Sequence, residues 1–396
     1  MIVHVVLVSD QILQNLIPIL MERPDRVVFV ITDLMARRRV DQRLANQLRE
    51  TGIEITRCKH CPDAGFSQIK AFADQVTDAL LSTSAEPEIV LNATGGNKLI
   101  ALGFVEAFRG IASRILYTDT AHRRIEYLDS AAGAADIPPP EPTLMHNVLD
   151  VPGYLRAQGF QFRRAASDSV EWLEGAAARK AACKFIGKRI ANAHLQSFIG
   201  NMNALADKAL ARLPDSKEER LAAPVQSFSY PPRGIWREAM GALSDARLLD
   251  WDHGSEYFRF ADLAAAHFLR GGWLEEYAYH VVKDDGVHDT RLGVEGTWDN
   301  EQAMANEFDV LACQMNQLLF IECKTLNYEK RQNDNEIAYK LDSLGEDVRG
   351  LFGSTWLLSA REPTETLSAR ARRARIRLVP PSELQDLRKL VREWRD

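Results

Sequence analysis

The chain has 396 residues, more than one ordinary core accommodates, so two or three domains are expected. Hydrophobic residues at 46% and charged residues at 26% are the balance of a globular protein and exclude a disordered or fibrous chain. A formal net charge of -6 excludes a global attraction for polyanions, so any grip on nucleic acid has to come from local clusters or from metal ions.

The opening MIVHVVLVSD is apolar but lacks a basic leader and a small-residue cleavage site, and it meets Asp10 after a strand's length. It reads as a first β-strand. Further strands are expected at Val27–Thr32, Ile53–Thr56, Glu88–Thr94, Arg114–Thr118 and Arg124–Asp129. Helices are expected from Leu13, and over Val40–Arg49, Phe66–Leu81 and Lys98–Arg109. This alternation is that of a parallel, Rossmann-like α/β sheet. Between the fourth strand and its helix lies NATGGNK, Asn92 to Lys98, whose glycines let the backbone approach a ligand and whose helix start offers N–H groups to phosphate. The spacing is neither G-x-G-x-x-G nor a Walker motif, so NAD binding and ATP hydrolysis are not supported.

The stretch Ala131–Thr143 is rich in Ala, Gly and Pro, and three consecutive prolines mark a linker there. From Val170 to Leu213 the pattern is helical, and Pro214–Pro232 reads as irregular. A helix at Gly234–Ala246, strands at Leu248–Trp251 and Glu256–Phe260 and a helix at Leu263–Phe268 then suggest a small winged-helix-like unit, with a plain connector as the alternative. Three regions follow: residues 1–135, a connector over 136–262, and residues 263–396.

The last region opens with a helix at Gly271-Gly272-Trp273-Leu274-Glu275-Glu276 and continues through strands at Val287–Val294, Glu307–Cys313 and Leu318–Cys323. Helices are expected at Asn335–Arg349, Glu365–Arg375 and Glu383–Trp394, with a strand at Trp356–Ser359. In EFDVLACQMNQLLFIECKT, two apolar strands meet at a turn around Met315-Asn316. The period of two turns Glu322 and Lys324 to one face and Cys323 to the other. Asp309 on the first strand and Glu322 on the second are hard oxygen ligands suited to Mg²⁺ or Mn²⁺. Lys324 beside them can orient a water and offset charge on a phosphate. These are the parts of a phosphodiesterase. Asn306, Glu307 and the pair Tyr339-Lys340 are candidates for a supporting role, although a solvated helix is the commoner place for a lysine.

This constellation resembles the PD-(D/E)XK nuclease superfamily, in which a helix acid, an Asp and Glu-x-Lys recur on an αβββαβ core. The resemblance implies Glu275 as the helix acid, with Glu276 as the alternative, and a metal held by Asp309, Glu322 and Glu275. NATGGNK resembles the signature of CARF domains, sensors of cyclic oligoadenylate, with Ser9-Asp10-Gln11 and Thr118-Asp119 at the other edges of the pocket. The implied ligand contacts are Ser9, Asp10, Gln11, Asn92, Thr94, Gly95, Gly96, Asn97, Lys98, Thr118 and Asp119. The order of parts is similar to the CRISPR ancillary nuclease (Can/Card) family over nearly the whole chain. It implies a Rossmann-like CARF domain, a helical or winged-helix-like connector and a restriction-endonuclease-like domain. It further implies a homodimer activated by cyclic tetra-adenylate to cut DNA or RNA. The competing expectations are a ligand-sensing DNA-binding regulator without catalysis and an Mrr-like restriction nuclease with another sensor.

Other motifs carry less. Cys58-Lys59-His60-Cys61 is a lone C-x-x-C without a second pair, and reads as a local turn with ordinary thiols. His146, His253, His267, His280 and His288 lack H-x-x-x-H spacing, so a zincin is not expected. Five scattered cysteines fit a reducing cytoplasm, and no segment has the length and polarity of a membrane span. The arginines between Arg370 and Arg377, and Arg388, Lys389, Arg392 and Arg395 after them, form a local basic cluster of the kind nucleic-acid binding would need, with a solvated helix face as the commoner reading.

Overall fold

The computed structural model describes residues 1–82, 87–128, 141–213, 218–299, 305–325 and 353–396. Most of the expected Ala131–Thr143 linker, and the expected helix Asn335–Arg349 with Tyr339 and Lys340, lie outside the described residues. The chain divides into two compact units, Met1–Gln161 together with Met315–Gln317, and most of the residues from Phe162 onward.

The first unit is a seven-stranded sheet in the order β3-β2-β1-β4-β5-β6-β7. Its strands are β1 (Ile2–Leu7), β2 (Arg26–Thr32), β3 (Glu54–Cys61), β4 (Glu88–Asn92), β5 (Arg114–Asp119), β6 (Arg124–Leu128) and β7 (Thr143–Leu144). The first five in that order are parallel, and β6 and β7 are antiparallel additions. Val3, Val5 and Leu7 of β1 share a core with Ile69, Ala73 and Phe104 of the helices α4 (Phe66–Leu81) and α5 (Lys98–Phe108). Helices α1 (Ile12–Glu22), α3 (Val40–Leu48) and α6 (Val151–Gln158) pack together, and α2 (Asp33–Arg37) is a short turn ahead of α3. The expected Rossmann-like class is what forms. Strands β1 to β3 are added towards one edge of the sheet and β4 and β5 towards the other, so the order switches between β1 and β4, and in such sheets the crevice beyond the strand ends at that switch point is where ligands sit.

Two expectations for this unit are corrected. The C-x-x-C segment is not a turn: β3 runs on through Cys61, with an irregular register against β2 and His60 at φ 64°. All five cysteines are free thiols, and burial, then the charges of Asp63 and Cys58, push Cys61 up to about 12, the reverse of a reactive thiolate. Second, α6 was not anticipated, although Asp150 caps it by accepting from the Gly153 N–H at 2.7 Å and Gly159 ends it at φ 90°.

The second unit is built on a six-stranded sheet, β18-β17-β16-β15-β14-β8. Its strands are β8 (Phe160–Ala165), β14 (Asp289–Trp298), β15 (Asn306–Gln314), β16 (Gln317–Lys324), β17 (Gly353–Ser359) and β18 (Ile376–Val379). Strand β8 was not expected. The expected helical run Val170–Leu213 is two helices, α7 (Val170–Arg189) and α8 (Ala193–Ala209), separated at Asn192, whose Oδ1 accepts from the His194 and Leu195 N–H groups. Pro214–Pro232 is not wholly irregular. It includes β10 (Glu219–Leu221), paired with β9 (Leu210–Arg212), and β11 (Val225–Ser227). Strand β11 joins β13 (Tyr257–Phe260) and β12 (Leu249–Asp250) in a three-stranded sheet beside α9 (Ile235–Asp245), which is the winged-helix-like unit. Helix α10 (Leu263–His267) leads through a π-type turn, Phe268–Gly272, into α11 (Trp273–Asp284). Side chains of α7, α8, α9 and α11 share one core with β14, β15, β16 and β17, so the stretch from α7 to β13 is part of the same packed body as the last sheet. Among the described residues no helix is long and apolar enough to cross a membrane.

Candidate active site

Strands β15 and β16 are joined by Met315 and Asn316, both at positive φ (50° and 60°), which is the two-residue hairpin turn whose twist suits its strands. Asn316 is fully buried within the first unit. Its Oδ1 accepts from the Val148 and Leu149 N–H groups and its Nδ2 donates to the His146 carbonyl at 2.7 Å.

The hairpin brings Asp309 and the Glu322–Lys324 pair side by side. Asp309 Oδ2 accepts from the Cys323 backbone N–H at 2.7 Å, and Lys324 Nζ donates to Glu322 Oε1 at 2.5 Å. Glu322 is buried at 1% exposure, while Cys323 points into the core on the opposite face, as strand alternation requires. By the register of β14 on β15, Gly293 at φ 61° stands opposite Asp309, and a Cβ there would lie 2.9 Å from the Ala166 Cβ. Sequence reasoning passed over Gly293, because its signal is a lone glycine in an apolar strand.

Helix α11 supplies the third acid. A Cβ on Gly271 would lie 3.0 Å from Thr325 Oγ1, so the start of this helix abuts the end of β16. Trp273, Leu274, Tyr277 and Ala278 are buried against the sheet, which fixes the rotation of the helix. That rotation separates the two neighbouring glutamates. Glu276 turns to Arg179 of α7, whose Nε lies 3.0 Å from both its oxygens. Glu275 turns to the strand acids: burial first, then the charges of Asp309, Glu307 and Glu322, push it up to about 8 against the opposing pull of Lys324. On Lys324 the carboxylates win the other way, because Glu322 and Asp309 outweigh burial and raise it, keeping the ammonium charged. Three carboxylates therefore crowd one lysine, and a divalent cation is the charge that would hold all three ionised. The donors are hard oxygens and suit such an ion.

Among the described residues only Cys183, Glu276 and His280 bring three metal-ligating atoms within 4.8 Å of one another. That set is a poor cation site. Arg179 already neutralises Glu276, and His280 Nε2 is hydrogen-bonded to the Ala176 carbonyl at 3.0 Å. Its geometry is that of a satisfied polar network tying α7 to α11. The arginines of the last helix, Leu387–Arg395, are not merely solvated: Arg388, Arg392 and Arg395 converge on Asp285, whose side chain is 2% exposed.

In the first unit the loop after β4 is tucked against the end of β1. A Cβ on Gly95 would sit 1.8 Å from the Leu7 carbonyl oxygen, so no other residue fits there, and Gly96 is at φ 70°. Asn92 is a brace: its Oδ1 accepts from the Thr94 N–H and hydroxyl, and its Nδ2 donates to the Gln14 carbonyl. Thr94 Oγ1 in turn accepts from the Thr118 N–H, and Thr118 Oγ1 donates to the Gln14 carbonyl. Asn97 caps α5 by accepting from the Ile100 N–H, which leaves Lys98 exposed at the first helical position. Ser9 and Gln11 follow β1 at the same end of the sheet, with Asp10 paired to Arg38 at 2.6 Å. Asp119 accepts from His122 and Ala121, and these bonds outweigh burial and hold its carboxyl below the usual range.

Residues 3–148 match the family model described as the Card1 CARF domain, and residues 262–396 match that of the Card1-like endonuclease domain. Among solved structures, the chain is similar to Can2 from Sulfobacillus thermosulfidooxidans in complex with cyclic tetra-adenylate, at 23% identity and TM-score 0.73 over 97% of this chain and 95% of that one. It is also similar to protein VC1899 from Vibrio cholerae, at 20% identity and TM-score 0.80 over 99% and 97% of the two chains. A type III CRISPR defence DNA nuclease activated by cyclic oligoadenylate is matched at 16% identity and TM-score 0.53, over 91% of this chain and 46% of that one. These structural likenesses establish the fold. No curated protein matches the sequence.

Proposed function

Given that the chain belongs to the family that joins a Card1 CARF domain to a Card1-like endonuclease domain, we propose that it is a nuclease switched on by a cyclic oligoadenylate, cyclic tetra-adenylate above all, and dependent on Mg²⁺ or Mn²⁺. The observation that carries the catalytic reading is the hairpin geometry that holds Asp309 Oδ2 on the Cys323 N–H at 2.7 Å beside the Glu322–Lys324 pair, with Glu275 of α11 buried next to these acids. A carboxylate cluster of that density is a cost to the fold that a bound cation relieves.

Asp309, Glu322 and Glu275 would hold the ion. When bound it supplies Lewis acidity at a phosphate oxygen and an ionisable water at neutral pH. Lys324, kept protonated by its two carboxylate neighbours, directs N–H donors at the phosphate and offsets negative charge growing there as water attacks and the ester bond breaks. The Cys323 N–H steadies Asp309, and Trp273 and Leu274 anchor the helix that aims Glu275.

In the sensor, the Gly95-Gly96 backbone, Lys98 and the start of α5 would receive a ligand phosphate, with Ser9, Asp10, Gln11, Asn97, Thr118 and Asp119 around it. Asn92 and Thr94 complete the set and also brace the loop that carries it. A homodimer is part of this reading: Leu99 and Leu102 on α5 are 43% and 59% exposed, an apolar face suited to a second copy. Incubation of labelled DNA and RNA with Mg²⁺ or Mn²⁺, with and without cyclic tetra-adenylate, tests the whole reading. Cutting that needs both is expected. Equal cutting without the ring ligand, or full activity in EDTA, overturns the sensor or the metal part respectively.

A further inference from the structure

In the second unit a groove of about 960 Å³ runs beside the winged-helix-like element. One wall is α8, which presents His194, Asn201 and Lys208. The other is the segment Ser227–Trp236 between β11 and α9. Phe228 and Trp236 form its apolar base, packed edge to face with centroids 5.4 Å apart, and the Trp236 indole N–H is committed to the His194 carbonyl at 3.0 Å. The rim is different. Tyr230 is 82% exposed with no ring partner among the described residues, and Pro231 and Pro232 stiffen the backbone that holds it out. Lys208 and Arg233 face the groove with no carboxylate partner among the described residues, and no Asp or Glu lines it. An acid-free basic groove with a bare aromatic ring is a local departure from a chain of net charge -6.

We propose that this groove holds a single-stranded stretch of the nucleic-acid substrate, with a base stacked on Tyr230 and the backbone phosphates directed to Lys208 and Arg233. The proposal rests on the endonuclease reading and deepens it. Every base has a π-face, so an exposed tyrosine in a groove that also presents cations rewards unstacked bases whatever their sequence. A duplex hides those faces. The element is also unsuited to duplex docking in the winged-helix manner. Its α9 exposes Glu238 and Asp245 alongside Arg237, and the turn between β12 and β13 exposes Asp252, all of which a phosphate backbone would meet as like charge.

The test is fluorescence anisotropy of a labelled 20-mer oligothymidylate on the full chain in EDTA, where nothing is cut. Tyr230→Ala is expected to weaken binding about tenfold or more. The pair Lys208→Ala and Arg233→Ala should weaken it further and reduce the slope of log K against log salt by about 1.4. Hydrolysis of bis(4-nitrophenyl) phosphate with Mn²⁺ and cyclic tetra-adenylate, a substrate too short to reach the groove, should match wild type in all variants. A wild-type chain that cuts oligothymidylate while these variants bind and cut it equally well overturns the groove alone. Tighter binding of a duplex than of the single strand, undiminished by Tyr230→Ala, does the same. A wild-type chain that neither binds nor cuts any nucleic acid overturns the endonuclease reading and the groove with it.

Discussion

The backbone N–H of Cys323 donates to the carboxylate of Asp309 at 2.7 Å, fastening the acid of one strand to the strand that carries Glu322 and Lys324. Asp309→Asn can keep an oxygen at that N–H while losing the charge. Cleavage should then fall by about 100-fold or more with little change in Tm, whereas Asp309→Ala should lose activity and also some Tm. Glu322→Ala and Lys324→Ala should abolish cleavage while calorimetric affinity for cyclic tetra-adenylate stays near wild type. Unchanged cutting in both would remove the assignment.

Glu275 and Glu276 are adjacent in sequence and turn to different neighbours, Glu275 to the strand acids and Glu276 to Arg179. Glu275→Gln removes one of three crowded carboxylates, so Tm should hold or rise while metal-dependent cutting is lost. Glu276→Ala strands the Arg179 guanidinium, whose side chain is only 14% exposed, and should cost about 3 kcal/mol. Paired melting curves and rates distinguish the two: if Glu275→Gln melts early and Glu276→Ala does not, the roles are reversed.

His280 gives the second unit an acid sensitivity. Burial, then the charge of Lys180, lowers it to about 4 from 6.5, against its hydrogen bond to the Ala176 carbonyl and the charge of Asp284. Lys184, Cys183 and Glu276 complete its surroundings. The folded value is depressed, so its contribution is fully present above pH 6.5 and is lost as pH falls towards 4. Burial raises Glu276 despite Arg179, and this works in the opposite sense, so the readout is a difference. His280→Phe should flatten the wild-type decline in Tm between pH 6.5 and 5, by on the order of 1 kcal/mol. Parallel curves for the two proteins would refute it.

Much of this was legible because period and turn chemistry are local. The alternation in LLFIECK placed Glu322 and Lys324 on one face, and a two-residue gap at Met315-Asn316 announced the hairpin. What stayed hidden was pairing at a distance. Nothing in FQFRRA says that β8 will join a sheet whose nearest partner begins at Asp289, and nothing near Arg179 names Glu276 as its mate. Helix α6 was missed for another reason. Its cap at Asp150 and its stop at Gly159 were both present, but the prolines just before drew the reading towards a linker. The side-chain bonds of Asn92 and Thr94, which brace the loop against Gln14 and Thr118, are likewise pairings at a distance that NATGGNK does not announce.

That bracing sharpens what loss of each loop residue should do. Lys98 is exposed at the start of α5 and has no hydrogen-bond or ion-pair partner among the described residues, so Lys98→Ala should leave Tm unchanged while raising the cyclic tetra-adenylate needed for half-maximal cutting by about tenfold. Gly96→Val is worse, because φ 70° is disfavoured for a β-branched residue and a Cβ there meets Ile100 Cγ2 at 3.1 Å. Gly95→Ala is worse again: its Cβ would fall 1.8 Å from the Leu7 carbonyl, so the loop has to leave β1 and the brace through Asn92, Thr94 and Thr118 goes with it. A ligand shifts an equilibrium only by its differential affinity for the two states, so all three changes should move the dose-response curve and leave the endonuclease residues intact. Dose-response titration with a parallel melt separates the causes. Lys98→Ala should shift the curve at constant Tm, and the glycine variants should shift both. Three curves superimposable on wild type would show that this loop does not hold the activator.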